Sequence, residues 1–224
     1  MTSRVLDGTT VALPDDVGAR LRALRRADRT PVLGLAGPPG AGKSTVADAL
    51  ARRAADDGLR AVVVPMDGFH LANPVLDALG RRGRKGAPDT FDVAGYVALL
   101  RRLRTPGRPV VYAPSFAREL DAGLAGAVPV APDVDLVITE GNYLLHDDGG
   151  WQDIASELDA VWWVGCDDAE RRRRLVDRHQ GLGRSPKDAA TFVTESDEAN
   201  ARLVGPGVAR ATYVLTTDRA GAQA

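Results

Sequence analysis

Residues 37–44 read Gly37-Pro38-Pro39-Gly40-Ala41-Gly42-Lys43-Ser44, a full match to G-x-x-x-x-G-K-[ST], and they constrain this chain more than any other stretch. The pattern has a mechanism only between a buried strand and a helix. Both flanks are present. Pro31 opens the short apolar run Val32–Ala36, and Thr45 to Ala55 is rich in Ala and Leu. Glycines let the backbone curl so that successive N–H groups point at a phosphate, and the helix start adds partial positive charge. Gly37 opens the turn. Pro38 and Pro39 have no N–H, so the cradle must come from Gly40, Ala41, Gly42, Lys43, Ser44 and Thr45. Lys43 is expected to reach the β- and γ-phosphates, and Ser44 to ligate Mg²⁺. Only three of the 29 basic residues are lysines (Lys43, Lys85 and Lys187), so a lysine inside this motif stands out. The motif implies a nucleoside triphosphate site, with ATP and Mg²⁺ as cofactors, and leaves the reaction open.

Further apolar runs follow at 61–66, 110–112, 134–139, 160–164 and 212–215, separated by segments of helical pattern at 93–103, 169–179 and 189–203. This alternation predicts an α/β protein of the P-loop NTPase fold, a mostly parallel sheet of about five strands with helices on both faces. The chain reads as a single domain over residues 1–224. It has a helical lead-in at 1–29, a substrate loop at 68–92, a lid at 171–186 and a frayed tail at 219–224. Trp162 and Trp163 are expected in the core, while His146 and His179 read as ordinary surface residues.

Net charge is −1, from 29 Lys+Arg against 30 Asp+Glu, so no global positive field recruits nucleic acid. The single cysteine, Cys166, forms no internal disulfide and favours a reducing compartment. Neither a signal peptide nor a spanning segment is visible, so a cytoplasmic protein without a membrane partner is expected.

In a parallel sheet all strand C-termini open on the edge that holds the phosphate loop. Two runs end there in a carboxylate followed by glycine: Asp67-Gly68 and Glu140-Gly141. Either acid can complete a Mg²⁺ shell or take a proton from an attacking hydroxyl. Arg171, Arg174 and Arg178 share one face of a predicted helix. Arg174 and Arg178, nearest the Gly181/Gly183 hinge, are the candidates to clamp phosphates. His70, just after Asp67, is a candidate for substrate contact or for plain loop packing.

At these residues the sequence resembles the P-loop small-molecule kinases that include uridine kinase, phosphoribulokinase and type I pantothenate kinase, over about Pro31 to Leu215. Asp67-Gly68-Phe69-His70, Asn73 and the stretch from Arg84-Lys85-Gly86 to Phe91-Asp92 are similar to the pantothenate kinase region that begins at its catalytic Asp. Glu140-Gly141-Asn142 resembles the acidic strand end of uridine kinases. The resemblance implies that Asp67 is the catalytic base and that Arg178 meets the transferring phosphate, which leaves Glu140, the other strand-end acid, to join Ser44 at the metal. It places Arg118 where pantothenate kinases carry a substrate-binding His, and Asn200 near a substrate or nucleotide contact; Asn142, beside Glu140, is a further candidate for substrate binding. Phe116-Ala117 departs from the Tyr-Asp pair of uridine kinases, so the acceptor is not that of either named enzyme by default. Short members of the group, some labelled fructose kinases, share this length. Dimers are common in the group, which leaves a homodimer open.

The expectation is therefore an ATP-dependent kinase acting on a hydroxyl of a small metabolite: a nucleoside, a pantothenate-like compound or a sugar. The competing reading is a nucleotide-dependent regulatory ATPase or switch. The guanine motif N-K-x-D and the transporter signature L-S-G-G-Q are both missing from the sequence.

Overall fold

The computed structural model describes residues 12–217, so the tail expected at 219–224 lies outside the described residues. Among the described residues seven strands occur in chain order: β1 (Val32–Ala36), β2 (Ala61–Pro65), β3 (Val111–Ala117), β4 (Ala122–Val130), β5 (Leu136–Gly141), β6 (Ala160–Gly165) and β7 (Tyr213–Thr216). Five of them form a parallel sheet in the order β2-β5-β1-β6-β7. All five residues of β1 and all six of β5 are buried, as expected of strands covered on both faces.

The two faces alternate residue by residue. Val32 and Ala36 of β1, with Val161 and Trp163 of β6, join a core with Tyr96, Leu100 and Leu103. Leu33, Leu35, Trp162 and Val164 point the other way, onto Val46, Leu50 and Leu21. The helices that cover these faces are α1 (Val17–Ala23), α2 (Lys43–Asp56) and α4 (Val93–Arg104), with the short α3 (Asn73–Ala78) in the loop after β2. Each fully buried Leu contributes about 1.5–3 kcal/mol to this packing. At the strand start, Asp159 closes the lower edge, its carboxylate accepting from Val32 N at 2.9 Å.

The structure corrects three sequence expectations. Val110–Tyr112 does not join the main sheet: β3 pairs antiparallel with β4 in a separate hairpin. The predicted helix 189–203 is two helices, α6 (Pro186–Phe192) and α7 (Glu198–Val204), joined by a wider π turn over Val193–Asp197. Of the lead-in at 1–29, residues 1–11 lie outside the described residues, and α1 spans Val17–Ala23 with Val17 and Leu21 buried. His179 is no surface residue. It is buried at the C-terminal part of α5 (Asp168–Gly181), with Nε2 2.9 Å from Asp197 Oδ2; the His146 side chain is also mostly covered.

Arg171 is buried as well, at 2% exposure. It donates to Asp168 on its own helix, to Glu198 on α7 and to the Pro39 carbonyl of the phosphate loop. The arginine thus fastens the loop to two helices. Arg171→Met is expected to destabilise the fold by about 3 kcal/mol, because it leaves Glu198 largely covered without its main partner. Urea unfolding of the parent and the variant measures this. No helix among the described residues is long and apolar enough to cross a membrane.

Candidate active site

The loop between β1 and α2 curls as its sequence requires. Gly40 has φ +80°, and a Cβ there would meet Leu175 at 2.7 Å and the Arg171 carbonyl at 2.9 Å. Only glycine suits both the backbone angle and the space. Lys43 then folds back over the loop. Its Nζ donates to the carbonyls of Gly37 and Pro38, each at 3.0 Å, and to Asn142 Oδ1 at 2.6 Å. All three partners are neutral oxygens. Among the described residues no carboxylate lies within ion-pair distance of this buried ammonium. Burial therefore pushes its pKa down, to about 8. A buried cation held by neutral oxygens at a helix N-terminus is a site prepared for an anion.

Ser44, the second residue of α2, donates from Oγ to Glu140 Oε1 at 2.9 Å. Burial, with Asp67 nearby, raises the Glu140 carboxyl above the usual carboxylate range, while Lys43 and the Ser44 hydrogen bond oppose the shift. The hydroxyl and carboxylate are hard oxygen donors side by side, which suits Mg²⁺. Among the described residues no group of three or more His, Cys, Asp or Glu side chains could hold a metal on its own. A Mg²⁺ ion at Ser44 and Glu140 would thus take most of its ligands from phosphate oxygens and water.

Asp67 sits two residues past the end of β2, on a single 3-10 turn, Met66–Phe69. Its side chain is 43% exposed and lines the same cleft as Lys43, Ser44 and Glu140. The turn is held from behind by the hairpin at backbone distance. A Cβ on Gly68 would lie 2.6 Å from the Pro114 carbonyl, and one on Gly123 would lie 2.6 Å from the Gly68 carbonyl. No side chain fits between them, so the hairpin fixes where Asp67 points.

The cleft encloses about 860 Å³. His70, Arg118, Asn142, Asn200, Arg174 and Arg178 all line it. Their positions separate them. Asn142 belongs to the phosphate end, bonded to Lys43. Arg174 lies over the loop and donates to Glu170, to Thr217 Oγ1 and to the Thr217 carbonyl, while Thr217 Oγ1 itself donates to the Ala41 carbonyl at 2.8 Å. Arg178 is exposed, and among the described residues it has no ion pair within the cleft. Gly37 and Ala41 do not face the cleft. Gly37 accepts from Lys43, and the N–H of Ala41 is spent on the Pro38 carbonyl at 3.3 Å. These two support the cradle, whose cleft-facing members are Gly40, Gly42, Lys43, Ser44 and Thr45.

Sequence reasoning had no role for the tie made by Lys85. Its Nζ bonds Asn73 Oδ1 at 2.7 Å, the Asp121 carbonyl at 2.5 Å and Asp121 Oδ1 at 3.0 Å. The loop after β2 is thereby joined to the hairpin tip. Tyr143 Oη donates to the Gly86 carbonyl, and Trp151 Nε1 to that of Pro88. The segment 68–92 is a pinned wall of short turns. The scarcity of lysine and the family-like stretch Arg84-Lys85-Gly86 were the signals available for Lys85.

A profile of the family described as methylmalonyl Co-A mutase-associated GTPase MeaB matches residues 18–70, which hold the phosphate loop and the Asp67 turn. The chain is 37% identical over 180 residues to the uncharacterized protein YggC of Escherichia coli, covering 79% of this chain and 73% of that protein. It is 29% identical over 220 residues to a Schizosaccharomyces pombe protein named as a candidate uridine kinase, covering 94% and 93%. A crystal structure of a candidate fructose transport system kinase from a Silicibacter species superposes with TM-score 0.81 at 34% identity, covering 91% of this chain and all of that one.

Proposed function

The chain belongs to the P-loop kinase superfamily, and from that membership we propose that it transfers the γ-phosphoryl group of ATP to a hydroxyl of a small metabolite. The observation that carries this reading is the pairing of a buried, carboxylate-free Lys43 with Asp67 across one cleft. An ATPase switch needs the first residue; an acceptor hydroxyl gives the second a task.

The residues divide the work. Lys43, the loop amides and the start of α2 hold the β- and γ-phosphates. Ser44 and Glu140 would hold Mg²⁺, which would supply charge neutralisation for the phosphate oxygens. Arg174 and Arg178 face the transferring group from the lid helix and balance its equatorial oxygens. Asp67 accepts the proton of the acceptor hydroxyl as its oxygen bonds to the γ-phosphorus. The bond from that phosphorus to the β–γ bridging oxygen breaks in line, and ADP leaves. Arg118 and Asn200 border the acceptor.

ADP release over a panel of nucleosides, sugars and pantothenate tests the proposal. Acceptor-dependent ADP formation with a phosphorylated product is expected. ATP hydrolysis indifferent to every acceptor would replace it with the switch.

Nucleotide affinity should also depend on pH in a defined direction. Bound phosphates favour the charged ammonium of Lys43, so above about pH 8 binding must take up a proton. The ATP dissociation constant is expected to be flat near neutrality and to rise by about tenfold per pH unit above 8. Calorimetry in buffers of different ionisation enthalpy reads the proton uptake directly.

A further inference from the structure

The sheet order β2-β5-β1 puts the end of β5 between the Asp67 turn and the phosphate loop. In register, Glu140 stands beside Pro65 of β2 and Gly141 beside Ala36 of β1. Asn142 is the next residue, so it lies at the sheet edge between Asp67 and Lys43. Its backbone has little room to move. A Cβ on Gly141 would lie 2.6 Å from Met66 Cβ. On the other side Tyr143 is wholly buried and donates its hydroxyl to the Gly86 carbonyl.

The bond to Lys43 fixes which way the Asn142 amide faces. An ammonium only donates, so the atom 2.6 Å from Nζ is the carbonyl oxygen Oδ1, and the other end is the NH₂ group. Nδ2 carries two N–H donors, and among the described residues they meet no acceptor. Nor is Nδ2 sealed in the interior: among the described residues the buried side-chain atoms without a partner are Arg29 Nε and Arg104 Nη1. The NH₂ group therefore opens on the cleft that Asn142 lines. A fixed backbone and the Lys43 bond set its direction before any ligand arrives.

We propose that Nδ2 of Asn142 donates a hydrogen bond to an equatorial oxygen of the γ-phosphoryl group during its transfer, with Lys43 holding the amide in that orientation. The assignment rests on the kinase reading above, adds a catalytic residue to it and takes Asn142 out of the acceptor pocket. On one side of Asn142, Lys43 holds the β- and γ-phosphates; on the other, Asp67 takes the proton of the attacking hydroxyl. The group that passes between them is the phosphoryl, whose charge spreads over three oxygens that only accept. A preorganised N–H aimed at one of them is stronger in the transition state than in the bound nucleotide. No proton crosses this bond. The hydroxyl proton goes to Asp67, the acceptor oxygen bonds to the γ-phosphorus, and the β–γ bridging oxygen leaves with ADP. A carboxylate in place of the amide would keep the tie to Lys43 and repel the phosphoryl oxygens, so the amide is the group that serves both neighbours.

The test sets ground state against transition state. ATP and ADP report the first; ADP with Mg²⁺ and aluminium fluoride, a stand-in for the phosphoryl group in flight, reports the second. Affinities are measured by calorimetry for the parent, Asn142→Ala and Asn142→Asp, beside turnover with the acceptor panel above. Asn142→Ala is expected to lose about 100-fold in kcat and about 100-fold in affinity for the fluoride complex, with ATP and ADP held within about threefold. Asn142→Asp keeps an acceptor for Lys43 without the donor, and its kcat should fall at least as far. Proton NMR of the parent, which needs no variant to fold, should show one Asn142 side-chain N–H moved downfield in the fluoride complex and not with ADP alone. Equal losses of ATP, ADP and fluoride-complex affinity in Asn142→Ala make the amide a support for Lys43 and overturn the proposal while the kinase stands, as does an Asn142→Asp variant that turns over like the parent. Absence of transfer to every acceptor overturns the kinase reading and this one with it, and the fluoride affinities tell that failure from the first.

Discussion

Asp67→Asn is expected to cut acceptor-dependent ADP formation by about 10³-fold and to leave ATP binding within about twofold. The substitution preserves size and hydrogen bonding, and it removes only the ability to take a proton. Among the described residues Asp67 makes no hydrogen bond or ion pair with the phosphate loop; its Oδ1 lies 4.0 Å from Nδ1 of the buried His70 ring. The loss should therefore appear in kcat rather than in nucleotide affinity. Stopped-flow or coupled-enzyme turnover, with a separate ATP titration, distinguishes the two. A variant that turns over like the parent would remove Asp67 from the mechanism.

Lys43→Met should have the other large effect, and in it function and stability part. Transfer is expected to fall by about 10³-fold, because a preorganised cation at the developing phosphate charge is lost. Folding should change little. Burial lowers the lysine from 10.5 to about 8, so the charged form costs about 3 kcal/mol at neutral pH. Methionine relieves that cost. It also leaves Gly37, Pro38 and Asn142 oxygens without their donor, at roughly 1–3 kcal/mol each where water cannot reach them. The two effects oppose, and stability within about 2 kcal/mol of the parent is expected from urea unfolding. The sign of the lysine contribution is checkable alone. Between about pH 8 and 10.5 the unfolded chain holds a proton that the nucleotide-free folded chain does not. The parent should therefore gain stability with rising pH in that window, and Lys43→Met should not.

Why some of this was legible in sequence and some was not follows from what each signal encodes. The phosphate loop is local: its glycines, lysine and serine act on one turn of backbone, so eight consecutive residues reveal it. The acids at 67 and 140 were legible because a parallel sheet brings all its strand ends to one edge. Val110–Tyr112 misled because a short apolar run is the same pattern in a sheet and in a hairpin. Its partner strand, Ala122–Val130, is rich in Ala and Gly and reads as loop. Arg171 misled in the opposite way. Helical spacing put it on one face with Arg174 and Arg178, but nothing local says that Glu198 will come to meet it. The partnership of His179 with Asp197 and that of Lys43 with Asn142 are long-range for the same reason.

The strand order has one more consequence, and it concerns time. β1 is the centre of the sheet, yet both its neighbours come late in the chain: Val32 N reaches Asp159 across 127 residues, and Lys43 reaches Asn142 across 99. The loop following β1 leaves the ribosome early and cannot take its shape until β5 and β6 have been made. Loop closure on this scale is slow, and the route to the native state should fall among the slower folders of its size. The first strand waits, exposed and wholly apolar, for the longest part of synthesis, which makes it the segment most in need of protection from aggregation. Recovery of nucleotide binding should then be among the last events of refolding, a direct report that the central strands have closed.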